Sequence, residues 1–153
     1  MLIDNIKLTI KAGNGGKGSS SLMRNSQSMH GGPDGGNGGD GGSIFIQGSH
    51  NFSDLRKFRY TKKIEAESGK DGKRQKMFGR KAPDLTIFLP LGTRITNLKS
   101  GVITEIVDDA TPILFAQGGI GGRGNVEFKS STNQTPINFE EGGQGESKEL
   151  FLE

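Results

Sequence analysis

The chain of 153 residues has no cysteine and only two histidines. The first absence excludes disulfides and thiolate metal sites. His30 and His50 have no metal-ligand or triad spacing around them, so both read as surface histidines. Long hydrophobic runs are missing as well. Nothing approaches the ~18 apolar residues of a membrane span, and Met1-Leu2-Ile3-Asp4 is not the basic-then-apolar start of a signal peptide. A cytoplasmic protein with no membrane partner is expected. Seventeen carboxylates are present, but no pair is spaced for acid/base chemistry. No catalytic residue and no metal site emerge.

Apolar residues make up only 30% of the chain, against roughly 45–50% in globular proteins when glycine is counted with them. Glycine is the excess. Of 26 glycines, eight fall in 31–42, five in 118–124, four in 13–18 and three in 142–145. A uniform glycine load would argue for disorder; four blocks interleaved with strand patterns do not. Residues 35–42 read Gly-Gly-Asn-Gly-Gly-Asp-Gly-Gly, a period of three. The left-handed polyproline II helix has three residues per turn and no internal hydrogen bonds. Glycine at two of three positions leaves bare backbone on two edges, so neighbouring helices can approach until their N–H and C=O groups bond.

Between the blocks the pattern is that of strands. In 2–11, Leu2, Ile6, Leu8 and Ile10 alternate with Asn5, Lys7, Thr9 and Lys11, as in a half-buried strand. Further short candidates are 43–47, 63–68, 84–89, 93–96, 102–107, 112–116 and 148–152. Eight short strands without long helices point to an all-β barrel or sandwich.

Charge is uneven although the net value is only +3. Residues 53–81 hold eleven Lys/Arg and four Asp/Glu, whereas 139–153 hold five Glu and one Lys. A basic middle suits an anionic partner. Asn14-Gly-Gly-Lys17-Gly18-Ser19 has the flavour of a phosphate loop but lacks the earlier glycine and the Ser/Thr directly after the lysine. Gly35 to Asp40 fits the first six positions of a calcium nonapeptide, but Gly42 stands at its apolar position and there is one copy. The stretch from Lys70 to Lys81 is more informative. Lys73, Arg74, Lys76, Arg80 and Lys81 surround Met77 and Phe78. Such charges neutralise phosphates, and an exposed ring can stack on an unpaired RNA base; the plainer alternative is a solvated loop.

Together these residues resemble the Obg family of GTPases. The opening Asp4-Asn-Ile-Lys-Leu-Thr-Ile-Lys-Ala-Gly13-Asn-Gly-Gly16 is similar to that family's first strand and glycine turn. Gly31-Gly-Pro-Asp-Gly-Gly-Asn-Gly-Gly-Asp-Gly-Gly42 is close to its most specific segment, and Gly79-Arg80, Asp84, Pro90-Leu-Gly92-Thr93 and Gly118-Gly-Ile-Gly-Gly-Arg-Gly-Asn125 follow in order. The resemblance implies an N-terminal Obg domain over 1–153: a small eight-stranded β-barrel carrying a projection of six polyproline II helices, drawn from segments 13–42, 69–82 and 118–145. It also implies a GTPase domain beyond this chain, which would hold GTP and Mg, with no cofactor in this chain itself. The partner implied is rRNA of the large ribosomal subunit, during assembly and stress response, with the tip of the projection reaching toward the peptidyl-transferase centre. A monomer is expected. The family commonly carries an Arg-Arg-Glu-Lys-Tyr type stretch before the Gly-Gly-Pro segment; here Arg24 is kept, the acid, lysine and aromatic are not, and His30 replaces a usual basic residue. The candidate RNA contacts are therefore Arg24, His30, Lys73, Arg74, Lys76, Phe78, Arg80 and Lys81. The competing reading is a regulatory scaffold that binds an acidic protein or its own GTPase domain.

Overall fold

A computed structural model describes residues 5–21, 32–51, 55, 58, 60–128 and 139–153. Its strands are β1 (Ile6–Lys11), β2 (Ile44–Ser49), β3 (Lys63–Glu65), β4 (Leu85–Pro90), β5 (Arg94–Asn97), β6 (Ile103–Glu105), β7 (Ile113–Ala116) and β8 (Ser147–Leu152). The protein is mainly β: the one helix described over its whole span is a 3-10 turn, Asn125–Phe128. Each candidate strand is present, though 63–68 and 102–107 shrink to three residues each. The first of these ends at Glu65, and its pairing with β1 runs on into the three-residue repeat described below.

The strands form two sheets, ordered β3-β1-β8-β5-β6 and β4-β2-β7. The expected closed barrel is not what the ladders make, since no ladder joins the two sheets among the described residues. The edge strands β3 and β6 of the larger sheet are three residues each. Two pairs are parallel, β1 with β3 and β2 with β4; the rest are antiparallel. Alternation decides the inward face. Leu8, Ile10, Ile95, Leu150 and Leu152 from the larger sheet and Ile44, Ile46, Leu89 and Ala116 from the smaller are all but inaccessible, and they form one apolar cluster. At about 1.5–3 kcal/mol for each large apolar side chain buried, this cluster is the main source of cohesion in the β unit.

The rest of the backbone is organised by a second rule. Six segments, 12–19, 34–42, 66–73, 76–82, 117–124 and 140–146, are neither helix nor strand, yet their backbone groups are paired in a three-residue repeat. In the first segment, Ala12, Gly15 and Gly18 donate to Glu146, Gly143 and Glu140 of the sixth. Gly13, Gly16 and Ser19 donate to Gly42, Gly39 and Gly36 of the second. The second segment's Gly36, Gly39 and Gly42 donate to Lys73, Lys70 and Glu67 of the third. The third closes the ring, with Gly69 and Gly72 donating to Asn14 and Lys17 of the first. Three further rings of this kind join the first, second and fifth segments, the first, fifth and sixth, and the second, third and fourth. Backbones can come this close only without side chains. A Cβ on Gly13 would overlap the Glu67 carbonyl, and one on Gly38 the Gly16 carbonyl.

Each segment continues a strand, and strand partners become segment partners. The β1–β3 ladder runs on as Ala66 to Lys11 and Gly69 to Asn14; the β1–β8 ladder runs on as Ala12 to Glu146 and Gly15 to Gly143. The first, third and fifth segments leave the ends of β1, β3 and β7, and the second, fourth and sixth lead into β2, β4 and β8. All six therefore lie beyond the same end of the strands. At the far end of this glycine unit the first, third and fifth segments finish and the second, fourth and sixth begin.

Candidate nucleic-acid interface

At the far end the turn between the third and fourth segments is described throughout. Lys73 N donates to Met77 O and Met77 N to Arg74 O, which closes the turn. Inside it, Gln75 and Lys76 have φ of 62° and 56°. Left-handed backbone on residues other than glycine costs of order 1–3 kcal/mol each and persists only where the surroundings hold it. The surroundings here are Asp34. Its carboxylate Oδ2 accepts from Gln75 N at 3.0 Å, and its own carbonyl accepts from Lys76 N. Asp34 is buried, and its other carboxylate oxygen has no hydrogen-bond partner among the described residues.

Asn125 completes the support. It is fully buried; its Oδ1 accepts from Gly35 N at 2.8 Å and its Nδ2 donates to Ser21 O at 2.7 Å. Asp34 N donates to that same Ser21 carbonyl. The ends of the first, second, third and fifth segments are thus tied together under the turn. Sequence reading missed both residues as positioning groups. The signal was available for Asp34, since 34, 37 and 40 are the third positions of the Gly-Gly repeat. Asn37 Oδ1 accepts from Gly124 N, and Asp40 Oδ1 from Gly121 N. At each third position a short acceptor reaches a neighbouring N–H that finds no carbonyl.

The predicted cations and ring come together on this framework. Lys73, Arg74, Lys76, Arg80 and Lys81 are exposed, and Phe78 and Met77 are 64% and 56% exposed between them. None of the five is within ion-pair distance of a carboxylate among the described residues. Arg24 and His30 lie outside the described residues. His50, by contrast, is on the β unit, 3.3 Å from Asp109.

The opposite chemistry collects on the fifth and sixth segments. Arg123 Nε donates to Glu140 Oε1 at 2.7 Å, and Arg123 N donates to the same oxygen. The side-chain bond, then the backbone bond, hold the Glu140 carboxyl below its ordinary range, and the same carboxylate raises the Arg123 guanidinium. The phosphate-loop-like stretch has its donors committed. From Gly13 to Ser19 every backbone N–H bonds within the chain, Asn14 to Ser68 Oγ and Lys17 to Asp71 Oδ1 where no carbonyl serves. No N–H of that stretch is left to cradle a phosphate. Among the described residues no group of three metal-ligating side chains comes together, and no helix is long and apolar enough to cross a membrane.

Comparison with known proteins gives a consistent picture. The GTP1/OBG family model matches residues 3–153. The chain is 44% identical over 154 aligned residues to the GTPase Obg of Malacoplasma penetrans (strain HF-2), covering 100% of this chain and 36% of that protein. It is 40% identical over 152 residues to the GTPase Obg of Buchnera aphidicola subsp. Acyrthosiphon pisum (strain Tuc7), covering 99% of this chain and 46% of that protein. The chain thus spans less than half the length of either relative.

Proposed function

This chain belongs to the GTP1/OBG family, and on that premise we propose that it is a non-catalytic module that docks its parent GTPase on rRNA of the large ribosomal subunit. The parent's GTP and Mg chemistry resides in a domain outside this chain, and the whole acts in the cytoplasm during subunit assembly and stress response. The observation that carries the reading is the turn held by Asp34: five exposed cations, none ion-paired among the described residues, around an exposed Phe78. Cations of this kind fix position on phosphates without reading sequence, and the ring suits a splayed base. Rigidity supports the same reading, because a held turn spends little conformational entropy on docking. The six segments are polyproline II helices in this proposal: their bonds recur every third residue, and no backbone bond joins two residues of one segment. They form a stiff projection with the basic turn at its tip.

Binding to isolated large ribosomal subunits should weaken steeply with salt, by counterion release. Changing Lys73, Arg74 and Lys76 together to Gln should flatten the slope of log K against log salt by about two to three units, since each phosphate contact contributes about 0.7–0.9. Lys7→Gln, on β1 of the β unit, should leave the slope nearly unchanged. An unaltered slope in the triple variant overturns the assignment of the turn as the RNA contact.

A further inference from the structure

We propose that RNA meets the glycine unit along one edge only, that of the third and fourth segments, and that the edge formed by the fifth and sixth faces away from it. The inference rests on the RNA-docking reading and adds its orientation. Hydrogen bonding orders the six segments across the unit. The fourth bonds to the second and third, and the sixth to the first and fifth. No backbone bond crosses from the third or fourth to the fifth or sixth among the described residues; the first and second always intervene. The two outer pairs are therefore opposite edges of one slab.

Their charges differ in sign. Residues 66–82 carry Lys70, Lys73, Arg74, Lys76, Arg80 and Lys81 against Glu67 and Asp71. The described residues 117–127 and 139–146 carry Glu127, Glu140, Glu141 and Glu146 against Arg123, whose guanidinium is bonded to Glu140. The two edges do not average out. Screening at physiological salt has a length of about 8 Å, so each edge acts on whatever touches it rather than on the far side of the slab. A polyanion laid on the first edge releases counterions; laid on the second it meets like charge. The acidic residues thus act as an orientation filter, leaving one way round for the unit to enter an RNA-walled site. The basic edge extends below the tip, since Lys70, Arg80 and Lys81 lie nearer the strands than the turn does.

The absence of cysteine makes a direct test possible. Glu67→Cys on the third segment and Glu141→Cys on the sixth each create a single attachment point, and both positions are exposed. An iron chelate tethered at either sulfur generates hydroxyl radicals that cut nearby RNA. With the 153-residue chain bound to isolated large ribosomal subunits, cleavage from position 67 should exceed cleavage from position 141 several-fold. Comparable cutting from both, or stronger cutting from 141, overturns the one-edge inference while leaving docking intact. No cutting from either, with both variants folded by circular dichroism, overturns docking and this inference together.

Discussion

Leu8 and Gly38 are both in the tightest parts of the molecule, for opposite reasons. Leu8 is fully buried because its side chain fills the space between two sheets, among Ile10, Ile44, Ile46 and Leu150. At Gly38 there is no such space: a Cβ would overlap the Gly16 carbonyl, while the Gly38 N–H bonds to Gly122 O at 2.8 Å. The β unit is held by side chains that remove apolar surface from water. The glycine unit is held by backbone groups that satisfy one another, with side chains missing where segments meet. A side-chain core tolerates exchange of volume and shape at modest cost. A backbone lattice has no rotamers with which to relax.

Gly38→Val breaks that contrast most severely. Overpacking of an ordinary core costs about 1–3 kcal/mol. Here the obstacle is backbone, so the first and second segments must part, and several bonds at about 1 kcal/mol each go with them. A loss on the order of 5 kcal/mol is expected, localised to the glycine unit. Amide exchange should accelerate at Gly16, Gly39 and Gly41 while β1 and β8 stay protected. Wild-type protection and melting temperature in this variant would mean that the close approach is not what holds the segments.

Leu8→Ala sharpens the comparison from the other side. The expected loss is about 3 kcal/mol, within the range for a buried Leu truncated to Ala. At roughly 2–4 °C per kcal/mol for a chain of this size, the melting temperature should fall by about 6–12 °C. Unlike Gly38→Val, this change should loosen β1, β2 and β8 together, because Leu8 sits in the cluster common to both sheets. Loss of protection confined to β1 would show that the sheets do not share one core.

The same contrast explains what could be read from the sequence. In the β unit, side chains carry the information, so alternation in β1 was legible in the sequence; Gly92 and Gly101, with φ of 88° and 77°, fall between the strand candidates 84–89, 93–96 and 102–107. In the glycine unit the period of three was visible at 35–42, but the partners were not, because one glycine N–H is the same as another. The pairing of Gly13 with Gly42 and of Gly15 with Gly143 follows from the strand ladders that lead into it. The third and fourth segments were harder to see as part of the lattice. They sit at its edge and hold glycine only at Gly69, Gly72 and Gly79, leaving room for the basic side chains. The basic turn was legible as composition; its support by Asp34 and Asn125 was not, since both bonds span long stretches of sequence. Whether the strands close a barrel was not legible either, because short alternating strands suit a barrel and a pair of sheets equally.

The smallest expected effect lies where the lattice borrows a side chain. Glu140 accepts from both the guanidinium and the backbone N–H of Arg123, and its own N–H donates to the Arg123 carbonyl, so that side chain and backbone together join the fifth and sixth segments here. Those bonds favour the carboxylate and hold its pKa below 4.5, the ordinary value. A carboxyl whose pKa is lowered on folding adds stability that is present above its unfolded value and fades as pH falls through the folded one. Neutral pH should thus show the full contribution, and acidification below about 4.5 should remove it. The pair is exposed, so salt should weaken it too. Amide exchange at Gly143, whose N–H donates to Ile120 O between the same two segments, reports the effect. Near pH 6, Glu140→Gln should speed that exchange slightly relative to the unaltered chain. As pH falls through the lowered folded-state pKa of Glu140 the two proteins should converge, once the intrinsic pH dependence of exchange is divided out. The site even allows a control: a Cβ on Gly143 would lie 3.3 Å from Ile120 N, the loosest of the inter-segment glycine contacts, so Gly143→Ala should perturb the same junction without any pH dependence. If the Glu140→Gln difference were the same at pH 6 and pH 3.5, the carboxylate charge would not be the agent, and the amide geometry alone would hold this edge of the lattice together.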